Sequence, residues 1–356
     1  MSFIFLLIFL HSLSPMIHSL PLAPALYVFG DSMFDSGNNN ILPTVAKADY
    51  PPYGVNFVKG VTGRFTNGRT VADFIAEFLG LPYAPPCISI ISLSTPLTGL
   101  NYASGSCGIL PETGNRLGKC LNLNEQIDLF ERTVRSELPR HFKNPEELSD
   151  YLSKSIFIFS VGSNDYINNY LQPNMYSTSN RYPTQPFAQL LVDSLGQRFE
   201  RLYNLGARKM VMFEIGPIGC IPSFTRQHYK QDGQCVEDTN QIVSFFNQRL
   251  PALLKYLAFT LQGSTFVLAQ ANFLAYDAIT NPPKYGLMDS NNPCCITWAN
   301  GTSGCIPLLT SCPNEYKHFF WDAYHLTEAA CSLIATRCIN DTSICTPFNI
   351  KELVQL

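Results

Sequence analysis

The stretch Leu26-Tyr27-Val28-Phe29-Gly30-Asp31-Ser32 decides how this chain is read. Four consecutive apolar residues without polar alternation predict a strand buried on both faces, the kind that lies inside a covered parallel sheet. Gly30 ends the run, and Asp31-Ser32 opens a turn that continues through Phe34-Asp35-Ser36-Gly37-Asn38-Asn39-Asn40, rich in the residues that tolerate tight backbone. Sheets of this class place their sites just outside the carboxyl ends of the strands, so Ser32 stands where chemistry is expected.

Four more short apolar runs read as strands: Gly99–Ala103, Ile156–Val161, Lys209–Ile215 and Thr265–Ala269. Longer stretches between most of them carry helical spacing. Val71, Phe74, Ile75 and Phe78 share one face of 71–79, and 123–138, 187–205, 239–259 and 327–339 are likewise predicted helices. Pro251 should kink or interrupt the fourth of these five. Strands alternating with helices predict an α/β fold with a parallel sheet covered on both faces. No repeat or low-complexity linker divides the chain, which reads as a single domain over 25–356.

At 356 residues and 46% hydrophobic content the chain can bury a large core. Its formal net charge of −3, with no basic block, offers nothing to nucleic acid and points to a small neutral or weakly polar substrate. The apolar run from Phe3 to Leu10, followed by Ala23-Pro24-Ala25, reads as a signal peptide over 1–24, with cleavage between Ser19 and Ala25. The run is about half the roughly 20 residues that a membrane span needs, so no stable anchor is expected.

Twelve cysteines agree with an extracellular, oxidising compartment. No Cys-x-x-Cys pair is present, so disulfides are favoured over metal ligation, with Cys107–Cys120 and Cys220–Cys235 the expected local loops. Cys331 and Cys338, seven apart on a predicted helix, lie about 10 Å from each other and cannot bridge. Asn300-Gly301-Thr302 and Asn340-Asp341-Thr342 are acceptors for glycosylation in a secreted chain.

Ser32 alone could be a turn or capping serine, and no Gly-x-Ser-x-Gly elbow occurs in the chain. A serine nucleophile requires a hydrogen-bonded imidazole and an acid to orient it. Two pairs offer these: Asp322 with His325, and Glu315 with His318. The first is preferred because it sits at the mouth of the last predicted helix. Gly105 and Asn164 follow two other strands and could supply a backbone N–H and a side-chain amide to an oxyanion. Metal hydrolysis is disfavoured by the scattered histidines and the lack of His-Glu-x-x-His.

In order and context these residues resemble the GDSL or SGNH hydrolase family, in its plant-type extracellular branch. Gly30-Asp31-Ser32 is similar to its first block, with Met33 where the family usually has Leu. Asn101-Tyr102-Ala103-Ser104-Gly105 is similar to the second, Gly162-Ser163-Asn164-Asp165 to the third, and Asp322-x-x-His325 to the fifth. Thr62-Gly63-Arg64-Phe65-Thr66-Asn67-Gly68-Arg69 and Gly216-Pro217-Ile218-Gly219-Cys220 extend the likeness, while Leu326 departs from the Pro frequent after the histidine. The resemblance implies a flavodoxin-like three-layer α/β/α sandwich around five parallel strands. It also implies Ser32 as nucleophile, His325 as base, Asp322 as orienting acid, and an oxyanion hole of Ser32, Gly105 and Asn164.

The expected protein is a secreted, extracellular serine hydrolase that cleaves carboxylic esters through an acyl-serine, with no metal or organic cofactor. Alternatives are an acyltransferase using the same triad and a silent extracellular binding protein of the same fold. Loops 38–69 and 166–185 are expected to shape the pocket. The partner is a small-molecule or polymer-bound ester, and the sequence leaves the oligomeric state open.

Overall fold

The computed structural model describes residues 20–90, 95–229 and 234–356, so most of the expected signal peptide lies outside the described residues. Strands β1 (Leu26–Gly30), β2 (Ile156–Ser160), β3 (Lys209–Phe213) and β4 (Thr265–Ala269) form one sheet in that order, each parallel to the next. The second expected strand runs along the free edge of β1. Val28 N–H donates to Leu100 O (3.0 Å), Tyr102 N–H to Val28 O (2.7 Å) and Ser104 N–H to Gly30 O (3.0 Å). Gly99 (φ 106°) lies so close to β1 that a Cβ would be 1.9 Å from Leu26 O, and at the other end the Gly30 N–H turns from this edge to Gln126 Oε1. With this segment the spatial order of the parallel strands is second, first, third, fourth, fifth, the flavodoxin-like arrangement.

Period-two alternation divides the core into two layers. Val28, Ile158, Val211 and Val267 point to one face, packed by helices 71–79, 271–280 and 328–340. Tyr27, Phe29, Phe157, Phe159, Met210 and Leu268 point to the other, under helices 123–132, 184–204, 237–247 and 250–260. Both faces are thus apolar, which is why the strands read as continuous hydrophobic runs.

The remaining strands were not expected. Strand β5 (Asp289–Pro293) pairs with β6 (His318–Phe320) in a small parallel sheet that carries the chain to Asp322. Strand β7 (Cys345–Thr346) joins β4 antiparallel at the far edge. Five disulfides tie the loops: Cys107–Cys120, Cys220–Cys235, Cys294–Cys312, Cys295–Cys305 and Cys338–Cys345. Cys331 is a buried free thiol, separate from Cys338 as its helical spacing requires. Among the described residues no helix is long and apolar enough to cross a membrane.

Candidate active site

Ser32 lies two residues beyond the end of β1, in a turn that Asp31 and Asp35 tie down. Asp31 Oδ1 accepts the Met33 N–H (3.0 Å), and Asp35 Oδ1 accepts those of Gly37 and Asn38 (both 2.7 Å). Gly30 is held from behind by the buried Gln126, which both accepts its N–H (2.9 Å) and donates to its carbonyl (2.8 Å). The position of Ser32 is therefore fixed by the sheet and by buried amides.

His325 arrives from the other end of the chain. After β6 the loop 321–325 closes on itself, with Trp321 N–H donating to His325 O (2.7 Å) and Asp322 Oδ1 accepting the N–H groups of Tyr324 and His325 (2.8 Å each). Trp321 anchors this loop in a separate apolar cluster with Tyr53, Phe65, Cys295 and Cys305. His325 Nδ1 lies 2.8 Å from Asp322 Oδ2, and its Nε2 lies 2.8 Å from Ser32 Oγ. The chain of donors that suits a base runs Ser32 O–H to Nε2 and Nδ1–H to Asp322.

Asp322 is fully buried and its pKa is nonetheless lowered. Burial opposes ionisation, but the His325 charge and hydrogen bonds from His325, Tyr53 and Tyr324 outweigh it. The Tyr53 hydroxyl donates to Asp322 Oδ2 (2.6 Å) and accepts the Cys305 N–H (3.2 Å). Tyr53 escaped the sequence reading because it sits 269 residues from its partner in Tyr50-Pro51-Pro52-Tyr53, with no local signature of the contact. Asp31 differs: burial pushes its carboxyl up to about 7, and its Oδ2 is buried with no partner among the described residues.

Of the three expected oxyanion groups, Ser32 and Asn164 line one cavity, while Gly105 is placed differently. The Ser32 N–H has no partner among the described residues. Asn164 follows β2; its Nδ2 donates to Cys107 O (3.0 Å), and Asn168 donates to its Oδ1 (2.8 Å), which fixes the amide orientation and leaves one amide hydrogen free. The Gly105 N–H, however, donates to Asp35 Oδ2 (3.0 Å). The next residue, Ser106 (φ 70°), lines the cavity beside Ser32, and its N–H has no partner among the described residues. The sequence pointed to Gly105 rather than Ser106 because glycine, not serine, advertises close backbone approach.

The rival pair is not assembled. His318 begins β6 and its Nδ1 is buried with no partner among the described residues, while Glu315 accepts from Ser311 (3.0 Å). Cys294, Cys312 and His318 bring three potential metal ligands within 4.8 Å, but the two sulfurs are bonded to each other and neither is a thiolate. Asn300 and Asn340 are both exposed.

Ser32 and His325 open into a cavity of about 440 Å³. Phe34, Val71, Phe213, Ala275, Ile279 and Phe319 belong both to its lining and to one layer of the core, so the cavity enters between the sheet and its helices. The expected loops contribute Val45, Tyr50, Tyr53 and Phe65 from the first and Ile167 and Asn168 from the second. Trp298, Ser303 and Gly304, from the loop that the Cys294–Cys312 and Cys295–Cys305 bridges both enclose, add a wall that was not expected.

Residues 26–338 match the GDSL-like Lipase/Acylhydrolase family. GDSL esterase/lipase 7 of Arabidopsis thaliana is 47% identical over 343 residues, covering 94% of this chain and 93% of its own. Two further GDSL esterase/lipases of the same plant are 41% and 40% identical, each aligned with 94% of this chain and with 91% and 86% of their own lengths. An α/β sheet of this order, a serine after its first strand, an Asp-x-x-His delivered to it from the carboxyl-terminal region and this extent of similarity lead to one conclusion: the chain belongs to the GDSL-like lipase/acylhydrolase family.

Proposed function

We propose that this carboxylic ester hydrolase acts through an acyl-serine on Ser32. His325 takes the Ser32 proton as the hydroxyl attacks the ester carbonyl, and Asp322, held by Tyr53, stabilises the imidazolium that forms. The carbonyl oxygen becomes an oxyanion received by the Ser32 N–H, the free amide hydrogen of Asn164 and a backbone N–H of the Gly105–Ser106 turn. Because Gly105 already donates to Asp35, Ser106 is the donor we assign. His325 then protonates the departing alcohol, and water, activated by the same imidazole, releases the acid.

The observation that carries this reading is the continuous hydrogen-bonded series Tyr53, Asp322, His325, Ser32 at the mouth of an apolar cavity. We further propose secretion of a single domain after removal of the amino-terminal apolar segment. Five disulfides and two exposed glycosylation acceptors support this. The Leu22 N–H bonds Leu79 O (2.9 Å) and Ala23 is buried, which favours cleavage between Ser19 and Leu22, so that both are retained.

The test is turnover of aryl esters together with labelling by a serine-directed phosphonate. Ser32→Ala should lose nearly all turnover and all labelling, and Asn164→Ala should lose about 100 to 1000-fold in kcat. Full turnover by Ser32→Ala would overturn the mechanism. Product analysis with added alcohols separates hydrolysis from acyl transfer.

A further inference from the structure

Glu214 follows β3 directly and lines the same cavity as Ser32 and His325, yet no step above uses it. Its setting is poor for a carboxylate. Phe213, Ile218, Ala271 and Ile279 line the cavity with it, one backbone N–H (Asn272, 3.2 Å) reaches its Oε2, and no cation pairs with it among the described residues. Burial pushes its carboxyl up to about 7. Glu214 is only partly buried, so solvent reaches its free oxygen in the open cavity, but a ligand that fills the cavity shuts that solvent out and must complete the hydrogen bonding itself or leave the oxygen unpaired.

The sheet sets the separation. Ser32 leaves β1 and Glu214 leaves β3, and since neighbouring strands lie about 4.8 Å apart the two positions are roughly 10 Å apart across the strand ends. In a two-step serine mechanism the alcohol departs first while the acyl group stays bonded to Ser32. The chamber that enters the core therefore suits the acyl chain, which must remain in place while water enters.

Resting on the ester-hydrolase reading, we infer that this cavity receives an acyl chain bearing a hydroxyl part-way along its length, and that Glu214 is the group that hydrogen-bonds that hydroxyl. A hydroxyl fits better than a cation. A carboxyl that burial inclines to the neutral form can both donate and accept, whereas an ammonium would require a fully ionised partner in apolar surroundings. A plain alkyl chain leaves the open oxygen unanswered, and the enzyme discriminates against it for that reason.

The experiment compares aryl dodecanoate with aryl hydroxydodecanoates in which the hydroxyl is walked along the chain, using the full secreted protein. The wild type should prefer one mid-chain isomer over the plain ester by about tenfold in kcat/KM, the worth of one hydrogen bond. Glu214→Leu should erase that preference and favour the plain chain, while the isosteric Glu214→Gln, which still donates and accepts, should keep most of it. A wild type that hydrolyses the plain ester and shows no preference at any position, or a preference that survives in Glu214→Leu, would overturn the inference and leave the ester-hydrolase reading intact. Failure of every ester, with no phosphonate on Ser32, would overturn both.

Discussion

Tyr53 shows how much of the site rests on a single contact. Its hydroxyl is the one side-chain donor to Asp322 besides His325 among the described residues, and it is itself held by the Cys305 N–H. Removing it leaves the buried Asp322 carboxylate with one hydrogen bond fewer and less firmly held against His325. Tyr53→Phe should therefore lower kcat roughly tenfold, as loss of a hydrogen bond to a charged group does, with KM little changed because the ring that lines the cavity is kept. An unchanged kcat on an aryl ester would show that the contact does not support the site. The two histidines part company in the same way: His325→Ala should abolish turnover and phosphonate labelling together, whereas His318→Ala should leave labelling intact. The reverse result would move the base to His318.

At the scale of elements, what was legible depended on whether the signal is local. The helix 71–79 was read at its observed limits because its apolar spacing is bounded by a Thr70/Asp73 capping box and by Gly80 in the left-handed region. The predicted helix 239–259 is two helices, Glu237–Asn247 and Leu250–Thr260, with Pro251 in the first turn of the second, where its missing N–H is harmless. Helix 145–154 went unread because it is mostly polar and buries only Tyr151 and Leu152, and helix 271–280 because it follows β4 after a single residue, so its apolar run merges with the strand. The Cys295–Cys305 bridge closes a loop that carries the Tyr53 anchor and Trp298. Replacing both cysteines with serine should slow turnover about as much as Tyr53→Phe, and the two changes should be far from additive, since both act through one hydrogen bond. Additive losses, measured in kcat for the singly and doubly altered proteins, would show that the loop acts elsewhere. Alkylation of denatured, unreduced protein should modify Cys87 and Cys331 alone, read by intact mass.

For the molecule as a whole, Asp31 ties stability to pH. Burial raises its carboxyl from 3.8 to about 7 on folding, so between those values the folded chain holds a proton that the unfolded chain has released. Its contribution is complete below about pH 4 and is lost as pH rises through about 7. The melting temperature should accordingly fall between about pH 4 and pH 7, and Asp31→Asn, which mimics the protonated acid, should flatten that slope. An unchanged slope in the variant would assign the effect to other groups. The chain's own order of residues determined the fold class, the buried parallel strands, the place of Ser32 after the first of them and two of the five disulfides, because each is written in local spacing or in motifs that stay together in sequence. Tertiary structure alone decided that Tyr53 backs Asp322, that Ser106 rather than Gly105 offers the free backbone N–H, and that Glu214 enters the cavity. Those relations join residues from different strands and loops, and only the packing of the sheet against its helices determines which of their polar atoms are already satisfied and which are left for a substrate.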